Sequence, residues 1–226
     1  MLNEYIPRPF IYKWANMIDK MGTDLSVVNA ARVSFANTHH KFEKDKDEKL
    51  IKYLAKHGHW SPFAHCTMQF HMVAPVFVAR QLVKHQVGLA WNEVSRRYVD
   101  SKVEFYVPKE WRGKADNVKQ GSSDEGVDIN PHLFMIDDYM RLMKSAKWTY
   151  EELLRKGVAP EQARMVLPQS MMTEWYWTGS LYAFARVCSL RSEKSAQKET
   201  QMVVSDIDKT AQQIFPVSWK YLMENN

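Results

Sequence analysis

An α+β fold, with a small antiparallel sheet packed against long helices, is what this sequence predicts. Residues 66–72 alternate, with Cys66, Met68, Phe70 and Met72 on one side and Thr67, Gln69 and His71 on the other, the pattern of a strand with one buried face. Several longer stretches repeat apolar residues at helical spacing. A chain of 226 residues that is 45% hydrophobic can bury a substantial core. No internal repeat and no Pro/Ser-rich linker divides it, so residues 1–226 read as one domain.

The elements follow in order. Residues 24–35 predict a helix with Leu25, Val28 and Ala31 on one face. Residues 39–49 are densely charged and read as a loop leading into a second helix over 48–57. There Leu50, Ile51 and Leu54 share a side, and Gly58 marks the stop. After the 66–72 strand, Pro75 suits a helix start, and Val76, Ala79, Leu82 and Val83 carry the helical spacing through His85. Residues 103–107 read as a short strand closed by Pro108. Residues 114–130, with Gly121, Ser122, Ser123 and Gly126, read as a mobile surface loop. A long helix over about 131–156 stops at Gly157, and a short one opens at Pro160 and carries Arg164 before Pro168. The aromatic-rich 171–178 reads as a strand. Residues 180–214 are largely helical, with Phe184, Val187 and Leu190 on the apolar side.

Composition narrows the function. No apolar run approaches the roughly 20 residues that span a bilayer, so no membrane association is expected. Residues 1–14 mix Asn, Glu, Pro and Arg with apolar residues and lack a secretory core. Cys66 and Cys188 fit no metal-ligand or redox spacing and read as half-buried thiols of a reducing, cytoplasmic setting. The net charge of +5 is compatible with nucleic acid, an anionic surface or phosphorylated ligands, but no basic block is dense enough for a nucleic-acid tail. Only eight glycines occur, with no G-x-G-x-x-G and no P-loop. Bound phosphates must therefore meet Arg, Lys and Ser side chains or helix ends.

Two clusters carry chemistry. On a helix, Gln81, Lys84 and His85 share one face and present an amide, an ammonium and an imidazole. The amide suits a nucleobase edge and the lysine a phosphate, whereas the plainer reading is a solvated face. If residues 92–98 are extended, Glu93, Ser95 and Arg97 point the same way. Ser and Arg then suit a phosphate, and Glu suits ribose hydroxyls or amide N–H groups. The plainer reading here is an edge strand with ordinary ion pairs.

Together these runs, Arg80-Gln81-x-x-Lys84-His85-Gln86 and Asn92-Glu93-x-Ser95-x-Arg97-Tyr98, resemble the defining motif of the flavin-dependent thymidylate synthases. Other pieces match in order: Ala31-Arg32-Val33-Ser34-Phe35, His59-Trp60-Ser61-Pro62-Phe63-Ala64-His65, Glu104-Phe105-Tyr106-Val107-Pro108, Ala163-Arg164, Val166-Leu167-Pro168, Leu190-Arg191 and Ala196-Gln197. The sequence departs from the family where Lys84 and Gln86 stand for Arg, Ala64 stands for Glu, and one extra residue separates Gln86 from Ser95. Ser180, Tyr182 and Arg186 stand where better-known members use Asn, Arg and Asn around the flavin.

The resemblance implies reductive methylation of dUMP to dTMP in a homotetramer with sites shared between subunits. Methylenetetrahydrofolate is the carbon donor, and NADPH-reduced FAD is the hydride donor. It implies dUMP binding by Gln81, Lys84, Glu93, Ser95, Arg96, Arg97, Arg164 and Arg191, with Arg191 also catalytic through stabilising negative charge on the uracil. It implies FAD binding by Ser34, Ser61, Lys84, His85, Gln86, Glu93 and Arg186. No metal is expected: His57, His59, His65 and His71 are ligands by type, but their spacing spreads them over a helix end, a loop and a strand. Trp175, Tyr176 and Trp177 read as core rather than a stacking platform. Neither cysteine has the setting of an activated nucleophile. Two alternatives stay open: a degenerate relative that binds deoxynucleotide without flavin turnover, and a nucleic-acid-binding module.

Overall fold

A computed structural model describes residues 13–99, 103–115, 121–127 and 129–225. Most of the N-terminal stretch read above, and residues 116–120 and 128 of the expected loop, lie outside the described residues. The chain divides into two compact units. The first contains Val73–Gln81 and Glu93–Glu174, and the second contains Lys13–Met72, Leu82–Asn92 and Trp175–Asn226.

A four-stranded sheet runs in the order β1 (Ala15–Met21), β2 (Thr67–Pro75), β6 (Met172–Ser180), β3 (Leu89–Glu93). The edge strand β1, which hydropathy did not reveal, pairs antiparallel with β2, and its register shifts between Met17 and Asp19. All but the first of its residues are exposed, so it lacks the alternation that betrays a half-buried strand. In β2 the expected alternation is present: Met68, Phe70 and Met72 are fully buried.

In the second unit, α1 (Asp24–Arg32) runs into a 3-10 turn at Val33–Phe35, matching the expected helix. The next helix, α2 (Lys44–Lys56), begins where a charged loop was expected. Asp45 and Asp47 lie near its N-terminus, where negative charge is favoured. Asp47 Oδ2 also accepts from the Glu43 N–H at 2.7 Å. After α3 (Ser61–Ala64), the remaining helices of this unit are α7 (Leu181–Ser192), α8 (Lys198–Ile214) and α9 (Pro216–Asn225). Helix α7 packs on α8 and α9, and α2 packs on α9.

On α7, Phe184, Val187 and Cys188 are buried, but Leu190 is 50% exposed, contrary to expectation. Six residues beyond Phe184, it lies about 120° round the helix from that side chain. Arg191, seven residues beyond Phe184, falls back into line with it. Trp175 and Trp177 are core, and the rings of Phe70 and Trp177 both meet Phe184 edge-on at 5.2 and 5.3 Å.

In the first unit, α4 (Val76–Leu82) follows β2 directly. The segment expected to be a mobile loop instead contributes a strand, β5 (Ser122–Gly126), which pairs with β4 (Arg112–Lys114) just before it. Arg112 Nε donates to Ser122 Oγ at 2.8 Å, tying one strand to the other. Helix α5 (Ile129–Arg155), helix α6 (Pro160–Ala163) and a 3-10 turn at Arg164–Val166 follow, close to expectation. Gly157 takes a φ of +81° beyond α5, a conformation that glycine adopts without strain. The expected strand at 103–107 reduces to one bridge, Phe105 to Met171. Its extension is blocked because the Tyr106 carbonyl accepts from the Tyr139 hydroxyl at 2.6 Å and Pro108 has no N–H. Val103, Phe105, Met143, Tyr150 and Ala163 form this unit's core. Among the described residues no helix is long and apolar enough to cross a membrane.

Candidate active site

The first unit contains a cavity of about 390 Å³ whose polar lining comes from Arg80, Glu93, Arg96, Arg164, Gln169 and Thr173. Backbone pairing builds it. The first turn of α4 donates its free N–H groups to the segment before β6, Val76 to the Met171 carbonyl at 2.9 Å and Phe77 to the Gln169 carbonyl at 3.1 Å. The exit of β3 is pinned by Val94 N–H donating to the Glu174 carbonyl at 3.0 Å. Glu93 thereby sits opposite Thr173, whose buried hydroxyl donates to Glu93 Oε1 at 2.7 Å. Val76, Val94, Leu167, Pro168 and Met171 supply apolar wall.

Three guanidinium groups and one carboxylate leave this lining with two net positive charges. A phosphate monoester carries about −1.5 to −2 at neutral pH, so the balance suits a ligand of that class. Arg80 has no ion-pair partner among the described residues. Among the described residues Arg164 is bonded through its Nε, which donates to the Glu161 carbonyl at 3.3 Å.

The other substrate candidates of this unit stand differently. The expected extended run through Glu93, Ser95 and Arg97 does not form: β3 ends at Glu93 and the chain turns. The Ser95 carbonyl accepts from both Tyr98 N–H (3.0 Å) and Val99 N–H (3.1 Å), while Ser95 Oγ accepts from Arg97 N–H (3.3 Å). Serine offers its own backbone such local bonds in competition with a strand. Arg97 is exposed, 3.6 Å from Glu161 and over the Tyr98 ring at 5.3 Å. Ser95 and Arg97 therefore do not line the cavity, nor does Gln81, whose Nε2 donates to the Phe77 carbonyl at 3.4 Å.

Nor do Gln81, Lys84 and His85 share a helix face. Helix α4 stops at Leu82, and His85 N–H closes a turn onto the Leu82 carbonyl at 3.0 Å. The stop is tertiary in origin. Ser180 N–H donates to the Gly88 carbonyl at 3.1 Å, so the chain must reverse in time to start β3. Glycine makes this approach possible: a Cβ on Gly179 would lie 2.3 Å from Leu89 Cδ2 and 2.8 Å from the Gly88 oxygen.

The second unit brings His85 and Arg191 together. Arg191 Nε donates to His85 Nε2 at 3.0 Å, which requires a neutral imidazole protonated on Nδ1. Burial, with the charges of Arg191 and Arg186 behind it, holds the His85 pKa below the ordinary imidazole value. The remaining flavin candidates are at the surface. Ser34 lies in the 3-10 turn after α1, Ser61 opens α3, Lys84 and Gln86 follow α4, and Arg186 is on α7, all exposed. Ser180 spends its side chain on α7, accepting from Ala183 N–H at 3.1 Å.

Neither thiol has the setting of an activated nucleophile. Both are fully buried, more so than expected. Burial, then the Asp24 charge, pushes the Cys66 pKa up to about 11, and burial, then Asp208, raises that of Cys188 well above the ordinary thiol value. Arg80 and Thr173 were not among the residues expected at the site. Arg80 stands beside Gln81 inside the first motif, a signal that was present. Thr173 sits in an aromatic strand 80 residues from its partner, and no local pattern points to it.

A family profile described as thymidylate synthase complementing protein matches residues 16–217. The chain belongs to this family. Among curated members it is similar to the flavin-dependent thymidylate synthase of Thermosipho africanus, 39% identical over 194 residues that cover 84% of this chain and 82% of the relative. The corresponding protein of Thermus thermophilus is 36% identical over 94% of this chain and 76% of its own. Among solved members of the same fold, the UMP/dUMP methylase PolB from Streptomyces cacaoi, bound with 5-Br dUMP, superposes with a TM-score of 0.84. It is 30% identical, and the match covers 93% of this chain and 94% of the neighbour. A second structure of that methylase holds 5-Br UMP, with a TM-score of 0.82 and 29% identity.

Proposed function

We infer that this chain is a flavin-dependent thymidylate synthase that methylates dUMP to dTMP. The observation that carries the reading is the cavity with three guanidinium groups around one fixed carboxylate, in a chain whose relatives bear that name. Arg80, Arg96 and Arg164 would hold the phosphate, and Glu93 would accept from a ribose hydroxyl or a base N–H. Gln81, Ser95, Arg97 and Lys84 are further candidates for the nucleotide. Arg191, with its Nε already committed to His85, keeps its terminal nitrogens for the uracil, where a fixed charge stabilises the developing anion.

Residues of the second unit fit a flavin dinucleotide. Lys84 and Arg186 are exposed cations without a carboxylate partner among the described residues, as a diphosphate requires. Ser34, Ser61 and Gln86 add hydroxyl and amide groups, and neutral His85 presents a donor at Nδ1. Glu93 is a further flavin candidate. Bound and reduced by NADPH, FAD supplies the hydride that completes a methyl group delivered by methylenetetrahydrofolate. A cytoplasmic setting accords with two free thiols. A homotetramer would cover side chains such as Phe35 and Val87, which are 82% and 76% exposed.

Purified chain incubated with FAD and desalted is expected to keep the absorption spectrum of a bound flavin and to bind dUMP with the nucleotide's phosphate required. A colourless protein that binds dUMP would support the degenerate relative instead. Because the solved neighbour is described as a UMP/dUMP methylase, UMP belongs in the same binding assay as a competing substrate.

A further inference from the structure

We propose that Thr173 is a positioning residue of this site, acting by locking the Glu93 carboxylate in the orientation that meets the nucleotide. The proposal rests on the reading of the cavity as the dUMP pocket. Glu93 is the last residue of β3, exposed, and carries the sole carboxylate of the cavity lining. A glutamate in such a place can turn about three side-chain bonds, and holding it costs rotamer entropy at the moment of binding. Thr173 removes freedom in advance. It is only 7% exposed and stands on β6, and its Oγ1–H donates to Glu93 Oε1 at 2.7 Å. A β-branched side chain in a strand is stiff about its first torsion, so the hydroxyl is aimed rather than searching. The neighbouring backbone bond, Val94 N–H to the Glu174 carbonyl at 3.0 Å, fixes the two chains in this register.

The hydroxyl also shapes how the carboxylate's charge is presented. It offers one proton to Oε1. An ionised Glu93 has about four lone-pair sites and so keeps acceptor capacity toward the cavity, where a ligand hydroxyl or N–H would bind. Held from the β6 side, the carboxylate keeps its place among the guanidinium groups of the lining when the nucleotide's phosphate arrives. Thr173 thus makes it a fixed acceptor, the role expected of a group that supports a contact side chain from behind.

A double-mutant cycle tests this, with dUMP binding to the FAD-loaded protein measured by calorimetry and KM and kcat measured alongside. Thr173→Val keeps shape and removes the proton. The loss of one hydrogen bond to a charged group is expected to weaken dUMP binding roughly tenfold. KM should rise by a similar factor while kcat changes less. Thr173→Ser restores the hydroxyl and should bring affinity back. In a Glu93→Ala background, Thr173→Val should have little further effect, because the acceptor through which it acts is gone. Unchanged affinity in Thr173→Val, or the same tenfold loss in both backgrounds, overturns the proposal. Should Thr173→Val fail to fold, a Thr173→Ser protein with the affinity of a Glu93→Ala protein would overturn it equally. A wild-type protein that does not bind dUMP removes the pocket reading and this proposal together.

Discussion

Arg191 and His85 meet through a single hydrogen bond that exists in only one protonation state. A protonated imidazole has no acceptor, so the bond is lost when His85 gains a proton. The pKa is held below the ordinary value, by burial first and by Arg191 and Arg186 next. The neutral form and its bond therefore persist below the pH at which a free histidine titrates, about 6.5. For stability the sign is that of a depressed histidine. The contribution is complete above the unfolded value, begins to fall as pH drops past it, and is lost below the folded value. An NMR titration of His85 is expected to give a midpoint under the free value, and Arg191→Ala should move it upward by removing one of the two charges. A midpoint that stays put in Arg191→Ala would contradict the contact. The same substitution is expected to lower kcat by about 10²–10³, the scale of losing one donor to a developing oxyanion. Near-normal dTMP formation would overturn the assigned role. At this scale the sequence singled out Glu93 and Arg164 through the motifs and Arg96 as a neighbouring guanidinium, and all three line the cavity. The sequence could not reveal the His85–Arg191 and Thr173–Glu93 contacts, because each joins residues at least 80 positions apart.

Elements were legible where one periodicity ran its full length. Strand β2 has such a pattern and forms close to where it predicts, while helix α5 and strand β6 were marked by the Gly157 stop and by aromatic residues. The exceptions have local causes. Helix α4 is cut short because Gly88 and Gly179 allow β3 to pair early. Helix α2 starts early because Asp45 and Asp47 favour its N-terminus. Helix α9 went unread although Pro216 opens it, and Trp219 and Leu222 are buried three apart on one face. Its first turn is held from afar: the Asp24 carboxylate accepts from Ser218 N–H at 2.8 Å and Val217 N–H at 3.1 Å. Asp24→Ala leaves both N–H groups unsatisfied and is expected to cost about 1–3 kcal/mol. Urea unfolding measures this, and an unchanged midpoint would show that the cap is not felt.

Across the whole molecule, the proposed chemistry uses no thiol. Cys66 and Cys188 are buried, free and held in the thiol form. A Cys66→Ser, Cys188→Ala protein is expected to turn over normally with a modest loss of stability, on the order of 1 kcal/mol. The native protein should resist inactivation by iodoacetamide. Loss of turnover with the fold intact would point to a cysteine nucleophile. Part of the net charge of +5 is gathered in guanidinium groups around one cavity, where no dense basic run in the sequence marked it. Whether this chain methylates dUMP by a flavin route is decided by supplying dUMP, methylenetetrahydrofolate, NADPH and FAD and following dTMP. Formation of dTMP that requires FAD, with release of label from uracil C5, is the expected result. A folded, FAD-loaded protein that makes no dTMP and releases no label would contradict it.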